Sequence, residues 1–377
     1  MKKIYLDNAA TTPIAPEVID LMSKMMNNHF ANPSSVHSFG RESKIIVENA
    51  RKNIAKLLNT SPGNIFFTSG GTEADNMAIK CSIYDHNITH AITSKISHHA
   101  VLYPLEDLAK EGKIKLSYID IDKDGVVSLS HLKELLEDNP RTFVSIMHAN
   151  NEIGTLQDLK AIGDICKQYN AIFHSDTVQT IAHYPFNMKE LNVDFMAASA
   201  HKFHGPKGVG FIYISEDIKI RPFLRGGGQE RNMRAGTENI YGIAGLSMAM
   251  TMAYEKLEEE VNYIKSLKSY MIERIKCEIP DAGFYAKCTD MDNSLYTVLS
   301  VHFPETNADE MLLFNLDIMG IACSGGSACA SGSVKGSHVL STLLPESKRP
   351  GIRFSFSKYN TKEEIDYTIE KLKELFV

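Results

Sequence analysis

Between residues 60 and 215 short β-rich runs alternate with segments of helical length, and no other feature of the sequence restricts the fold as much. The expected strands are Ile65–Thr68, His90–Thr93, Lys115–Asp120, Phe143–Met147, Ala171–His174, Phe195–Ser199 and Val209–Ile214. Helical patterns such as Ser130–Glu137 and Asp158–Tyr169 lie between them, and Ile46, Ala50, Ile54 and Leu58 form a helical stripe ahead of them. Strands separated by helices need crossover connections, which predicts an α/β fold with a mostly parallel seven-stranded sheet covered on both faces. Such sheets bind ligands beyond the carboxyl ends of their strands.

After residue 237 the texture changes. A long helix carrying Leu257, Val261, Ile264, Met271 and Ile275 leads to strands near Tyr296–Val301 and Ile352–Phe356. A last helix follows, with Ile365, Ile369, Leu372 and Phe376 on one face. The expected layout is a large α/β domain over 14–255 and a small α+β domain built from 1–13 and 256–377, with a cleft between them. Of the 377 residues 43% are hydrophobic and 23% charged, the composition of a globular chain rather than a disordered one. The net charge of −6 argues against a broad nucleic-acid or anionic-membrane surface. The best apolar run, near Ile243–Ala253, falls short of the ~18 residues a spanning helix needs. The opening Met1–Asp7 reaches an acid before any signal-like stretch develops, so a cytoplasmic location is expected. Six cysteines without a C-x-x-C pair read as reduced thiols, with Cys81, Cys166, Cys277 and Cys288 as small core residues.

Three motifs suggest chemistry that their context does not support. Asp120-x-Asp122-x-Asp124-Gly125 begins like a calcium loop, but His131 stands where the bidentate Glu belongs, so a strand-to-helix turn is expected. His98-His99 and His201-x-x-His204 lack the spacing and the carboxylate or thiolate company of a metal site, and no metal is expected. The glycines of Gly205–Gly210 match no nucleotide fingerprint and read as a turn into the next strand.

Three other motifs point to one chemistry. Ile65–Thr68 runs into Ser69-Gly70-Gly71-Thr72-Glu73, a strand–turn–helix in which Thr72 can cap the helix and free amides suit a phosphate. Asp176 follows one expected strand, and Lys202 another, with Lys207 close by. A phosphate cradle, a buried acid and a desolvated lysine are what pyridoxal phosphate requires: a Schiff-base amine, a partner for the pyridine nitrogen and an anchor. The motifs alone do not rank Lys202 over Lys207. Finally, nine of the eleven residues Cys323–Ser333 are Gly, Ala or Ser, so Cys329 is presented by this stretch rather than packed.

Taken in order, these residues resemble the cysteine desulfurases, the NifS/IscS-type branch of the fold-type I pyridoxal-phosphate enzymes. The resemblance runs through Tyr5–Thr12, Asn32-Pro33-Ser34-Ser35 with His37, Thr68–Glu73, Asn150–Thr155, the Asp176 and Lys202 stretches, Gly226–Arg231, Arg234–Thr237, Gly326–Cys329 and Ile352–Ser355. It implies Lys202 as the Schiff-base lysine, Asp176 on the pyridine nitrogen and His98 stacked on the ring, with Ser97 where the family often has an acid. It further implies Gln179 and Asn151 on the ring hydroxyl side, and Gly71, Thr72, Ser199 and His201 around the phosphate. Thr237 would reach in from a second subunit, so a homodimer is expected. Arg353 would clamp the carboxylate of L-cysteine with help from Asn32. His98 would handle protons on the substrate thiol, and Cys329 would take the sulfur as a persulfide for an acceptor in iron–sulfur cluster assembly or tRNA thiolation. Cys323 would be structural. A selenocysteine lyase or another lyase on this scaffold is the alternative reading, and an aminotransferase a third.

Overall fold

The computed structural model describes residues 3–137, 139, 141–305, 311–325, 337–346 and 349–377. Its strands are β1 (Ile4–Tyr5), β2 (Ile65–Thr68), β3 (His90–Thr93), β4 (Lys115–Tyr118), β5 (Thr142–Ser145), β6 (Ile172–Asp176), β7 (Phe195–Ser199), β8 (Gly210–Ile214), β9 (Gly283–Phe284), β10 (Val298–His302), β11 (Ile321–Ala322) and β12 (Gly351–Ser355). The helices are α1 (Pro16–Asn28), α2 (Ser38–Leu57), α3 (Gly71–Asp85), α4 (His99–Lys110), α5 (Leu129–Glu137), α6 (Leu159–Gln168), the one-turn α7 (Gln229–Asn232), α8 (Ile240–Glu255), α9 (Leu257–Glu278), α10 (Leu312–Ile318), α11 (His338–Leu343) and α12 (Lys362–Phe376).

Seven strands form one sheet in the order β2-β8-β7-β6-β5-β3-β4. All pairings are parallel except those of β8, which runs antiparallel to both β2 and β7. The alternation of side chains along the strands explains why both faces are dry. Phe67, Ile92, Val144, Phe173, Met196 and Phe211 point into one apolar cluster with α2, α6 and α8. Their neighbours Phe66, Ala91, Phe143, Ile172, Phe195 and Ile212 point into another with α3 and α4. Each fully buried Phe or Ile contributes about 1.5–3 kcal/mol. The sheet is therefore covered on both faces, and its strand ends are left to meet a ligand.

A second core gathers α9 and α12 over the three-stranded sheet β12-β10-β9 and the parallel pair β1-β11. Thr361 and Glu364 close a capping box at the start of α12. The amino terminus thus belongs with the carboxyl-terminal part: β1 pairs with β11, and the Ser355 backbone N–H donates to the Leu6 carbonyl.

The Asp120–Gly125 run is a turn, as expected, in which Asp122 Oδ1 accepts from the amides of Asp124 and Val126 before α5 begins. One cysteine departs from expectation. Cys81, Cys166 and Cys288 are buried, but Cys277 is exposed, because it falls on the solvent side of α9 opposite the Ile264–Met271–Ile275 stripe. No helix among the described residues is long and apolar enough to cross a membrane.

Candidate active site

A cavity of about 410 Å³ opens at the carboxyl ends of β6 and β7. Nearly all the residues singled out in the sequence meet there: Gly71, Thr72, His98, Asn151, Asp176, Gln179, Ser199, His201, Lys202 and Arg353. Two do not. Asn32 is exposed on the loop after α1, where its Oδ1 accepts from the Ser34 amide. Thr237 is exposed in a separate recess with Glu230 and Arg234. Cys329 lies outside the described residues.

The anion cradle is set by close packing. Gly70 takes φ 153°, a conformation L-residues avoid, and this turns the chain straight from β2 into α3. Gly70 is also the residue that caps the helix, so Thr72 falls inside the first turn, and the expected side-chain cap by Thr72 is not formed. A Cβ on Gly71 would collide with Val178. The first-turn amides of α3 have no acceptor within the helix and open toward the cavity. Glu73 secures the turn from outside: it accepts from the Ser69 amide at 2.8 Å and holds the Arg234 guanidinium through both carboxylate oxygens. Burial alone would raise the Glu73 pKa, but Arg234 and Ser69 outweigh it and hold it below the usual range.

Lys202 follows β7 in the turn Ala200–Lys202, and its Nζ donates to the carbonyls of Ala9 (2.6 Å) and Ala10 (3.0 Å). Lys207 also lines the cavity but is exposed at its mouth. Of these two, Lys202 has the partly buried, carbonyl-lined setting in which an amine is poised away from bulk water. Asp176 ends β6, 4% exposed, and its Oδ1 accepts from the Val178 amide at 3.0 Å. Gln179 is tied by Nε2 to the Ala9 carbonyl, and His201 by Nδ1 to Thr11 Oγ1.

His98 is the N-cap of α4. Its Nδ1 accepts the Ala100 N–H at 3.1 Å, so the neutral ring carries its proton on Nε2. Burial lowers its pKa, Asp176 opposes this, and Lys202, His99 and His338 reinforce it, so the ring is neutral near pH 7. Arg353, 1% exposed, comes from β12 in the small sheet. It donates to the Asn151 carbonyl at 2.9 Å and to Asp7 Oδ1 at 2.8 Å, while its buried Nε has no partner. Asp7 Oδ1 also accepts from Ser324 Oγ. The sequence reading assigned no role to Asp7, Glu73 or Asp75. Asp75 left a trace, since an acid there interrupts the buried Ala74–Ala78–Cys81 side of α3.

This donor set fits pyridoxal phosphate: a cradle too tight for a Cβ, an amine, and a buried carboxylate within one cavity. The fold and the site together define an α/β enzyme of the phosphate-cofactor class. The model of the family described as aminotransferase class-V matches residues 4–368. Cysteine desulfurase IscS of Dictyoglomus turgidum is 42% identical over 99% of this chain and 94% of its own length. That of Clostridium botulinum strain Hall is 43% identical over the same shares. The solved structure of a NifS-like protein superposes with a TM-score of 0.90 at 37% identity, covering 99% of both chains. The chain belongs to the class-V aminotransferase family, in its cysteine desulfurase branch.

Proposed function

We propose that this protein converts L-cysteine to L-alanine and retains the sulfur on Cys329 as a persulfide. The meeting of Lys202, Asp176, His98 and Arg353 around one cavity carries this reading, and it agrees with the names of the relatives. In the net reaction the substrate C–S bond breaks and an S–S bond to Cys329 forms. The carbon is reduced, the sulfur is oxidised to the sulfane level, and no outside oxidant is needed.

Pyridoxal phosphate, when bound, supplies an electron sink for the substrate Cα. Lys202 would hold it covalently, Asp176 would keep its ring nitrogen protonated, and Gly71, Thr72, Ser199 and His201 would hold its phosphate. Gln179 and Asn151 would border the ring hydroxyl. Lys202 is the base placed to take the Cα proton, since its amine sits among carbonyl acceptors inside the cavity. His98 offers Nε2–H toward the substrate thiol and returns readily to its neutral form because burial disfavours the cation. Arg353 binds the substrate carboxylate with the N–H groups that Asp7 and Asn151 leave over. Thr237, exposed beside the cradle turn, would complete the phosphate site of a second copy in a homodimer. The acceptor of the persulfide would be a thiol-bearing protein in iron–sulfur cluster assembly or tRNA thiolation, in the cytoplasm.

The test is alanine release from L-cysteine with a thiol reductant, in wild type and Cys329→Ser. Wild type should form alanine, and the variant should lose turnover by at least about 100-fold while keeping the cofactor's visible absorption. Equal rates would remove Cys329 from the mechanism.

A further inference from the structure

Beneath the cavity, on the face of the sheet that packs against α3, lies a polar cluster that the reaction above does not use. Side chains alternate along β6, so Ile172, His174 and Asp176 share the face toward α3. Asp75, on the second turn of α3, meets them there and lines the same cavity as Asp176. His174 Nε2 lies 3.2 Å from Asp75 Oδ1, yet the two are out of line for a hydrogen bond, so each atom is buried without a partner. His174 is 0% and Asp75 1% exposed. The other ring nitrogen is held by Ser145 Oγ at 2.8 Å, and Phe143 stacks on the ring at a centroid distance of 6.0 Å.

We propose that Asp75 and His174 are positioning residues of the cofactor site: a buried carboxyl–imidazole pair that packs beside Asp176 and sets the surroundings of the cofactor's ring nitrogen. This rests on the cavity being a pyridoxal-phosphate site. Two carboxylates in one dry pocket cannot both ionise cheaply. Asp75 is the one that gives way: burial pushes its pKa well above the usual range, and the charge of Asp176 pushes it further. Burial also takes His174 down to about 3, so the pair is neutral acid beside neutral imidazole, not an ion pair. The partnerless Nε2 of His174 lies 3.2 Å from Asp75 Oδ1 off the hydrogen-bond line, so the two neutral groups are held as close neighbours. The titratable and charged groups that line the same cavity are Asp176, Glu73, Lys202, Lys207, Arg353 and the imidazoles of His98 and His201.

The test is pyridoxal phosphate binding to cofactor-free protein, read as the dissociation constant and as the pH titration of the bound cofactor's visible band. An amide replaces a neutral acid with little loss, so Asp75→Asn should bind within about threefold of wild type, with the titration unmoved. Asp75→Ala should bind at least about tenfold more weakly, with the midpoint shifted by half a unit or more. His174→Gln should shift both readouts in the same direction by less. Binding and titration unchanged in Asp75→Ala would overturn the proposal. So would an Asp75→Asn as damaged as Asp75→Ala, since the charge of Asp75 would then be what matters. If Asp75→Ala does not fold, Asp75→Asn and His174→Gln decide, and an unmoved His174→Gln overturns the proposal. A wild-type protein that takes up no cofactor would instead overturn the reading of the cavity.

Discussion

The floor and the rim of the cavity are built in opposite ways. The floor comes from strand ends of a single sheet: Asp176 ending β6, Ser199 ending β7 with Lys202 just after it, and the cradle after β2. Its polar groups are sunk among apolar neighbours and fixed by backbone amides. The rim is assembled from segments remote in the chain. Asp7 reaches Arg353 across 346 residues, Asn8 Nδ2 donates to the Ser355 carbonyl, and the Ala9 amide donates to Ser355 Oγ. A dry, rigid floor can hold a charge state, because desolvation makes any other protonation costly. A rim of polar contacts can bind a carboxylate and release it, because Arg353 has N–H groups beyond those that Asp7 and the Asn151 carbonyl engage.

The largest effect that separates the two should come from Gly210→Ala. A Cβ there would lie 2.8 Å from Gly70 Cα and closer still to the Ala198 carbonyl oxygen, so β7, β8 and the cradle would be forced apart. Denaturant titration should show a loss of about 3 kcal/mol, together with weakened cofactor binding. Full stability would mean that the floor yields more easily than its packing implies.

Arg353→Lys breaks the rim alone. Lysine keeps the charge but loses the fork that spans Asp7 and the Asn151 carbonyl, so the KM for L-cysteine should rise at least about tenfold. The cofactor's absorption spectrum should not move, and a changed spectrum would mean that rim and floor are coupled.

The smallest effect is a pH slope. His148, whose Nδ1 bonds to Thr180 Oγ1 at 3.0 Å, has its pKa lowered to about 4 by burial, against an opposing pull from Asp158. A depressed histidine is neutral when folded but takes up a proton when unfolded. Its contribution is therefore complete above the unfolded pKa near 6.5 and is lost as pH falls toward 4. His148→Gln should reduce the pH dependence of stability in that window by up to about 1.4 kcal/mol per pH unit. An unchanged slope would show that other buried histidines, such as His204, dominate.

Much of the floor was legible before folding was considered. Ile65–Thr68, His90–Thr93 and Phe195–Ser199 are strands over the predicted residues, since short apolar runs bounded by turns and alternating with helical segments fit the buried strands of a parallel sheet. Asp176 and Lys202 stood out as polar residues placed just past such runs. Where the reading missed, a local rule met a tertiary one. Thr72 looked like the cap, but Gly70 turns one residue earlier. Cys277 looked like a core residue, but the register of α9 puts it outside.

By itself the sequence determined the strand–helix order, the covered parallel sheet and the residues at its strand ends, because these follow from periodicity within a few neighbouring residues. Only the tertiary structure decided who partners whom: Asp7 with Arg353, Glu73 with Arg234, Asp75 beside His174. Each of those pairs joins segments about 100 residues or more apart. The energy of a buried charge depends on what faces it and on the absence of water, and no repeat along the chain encodes either.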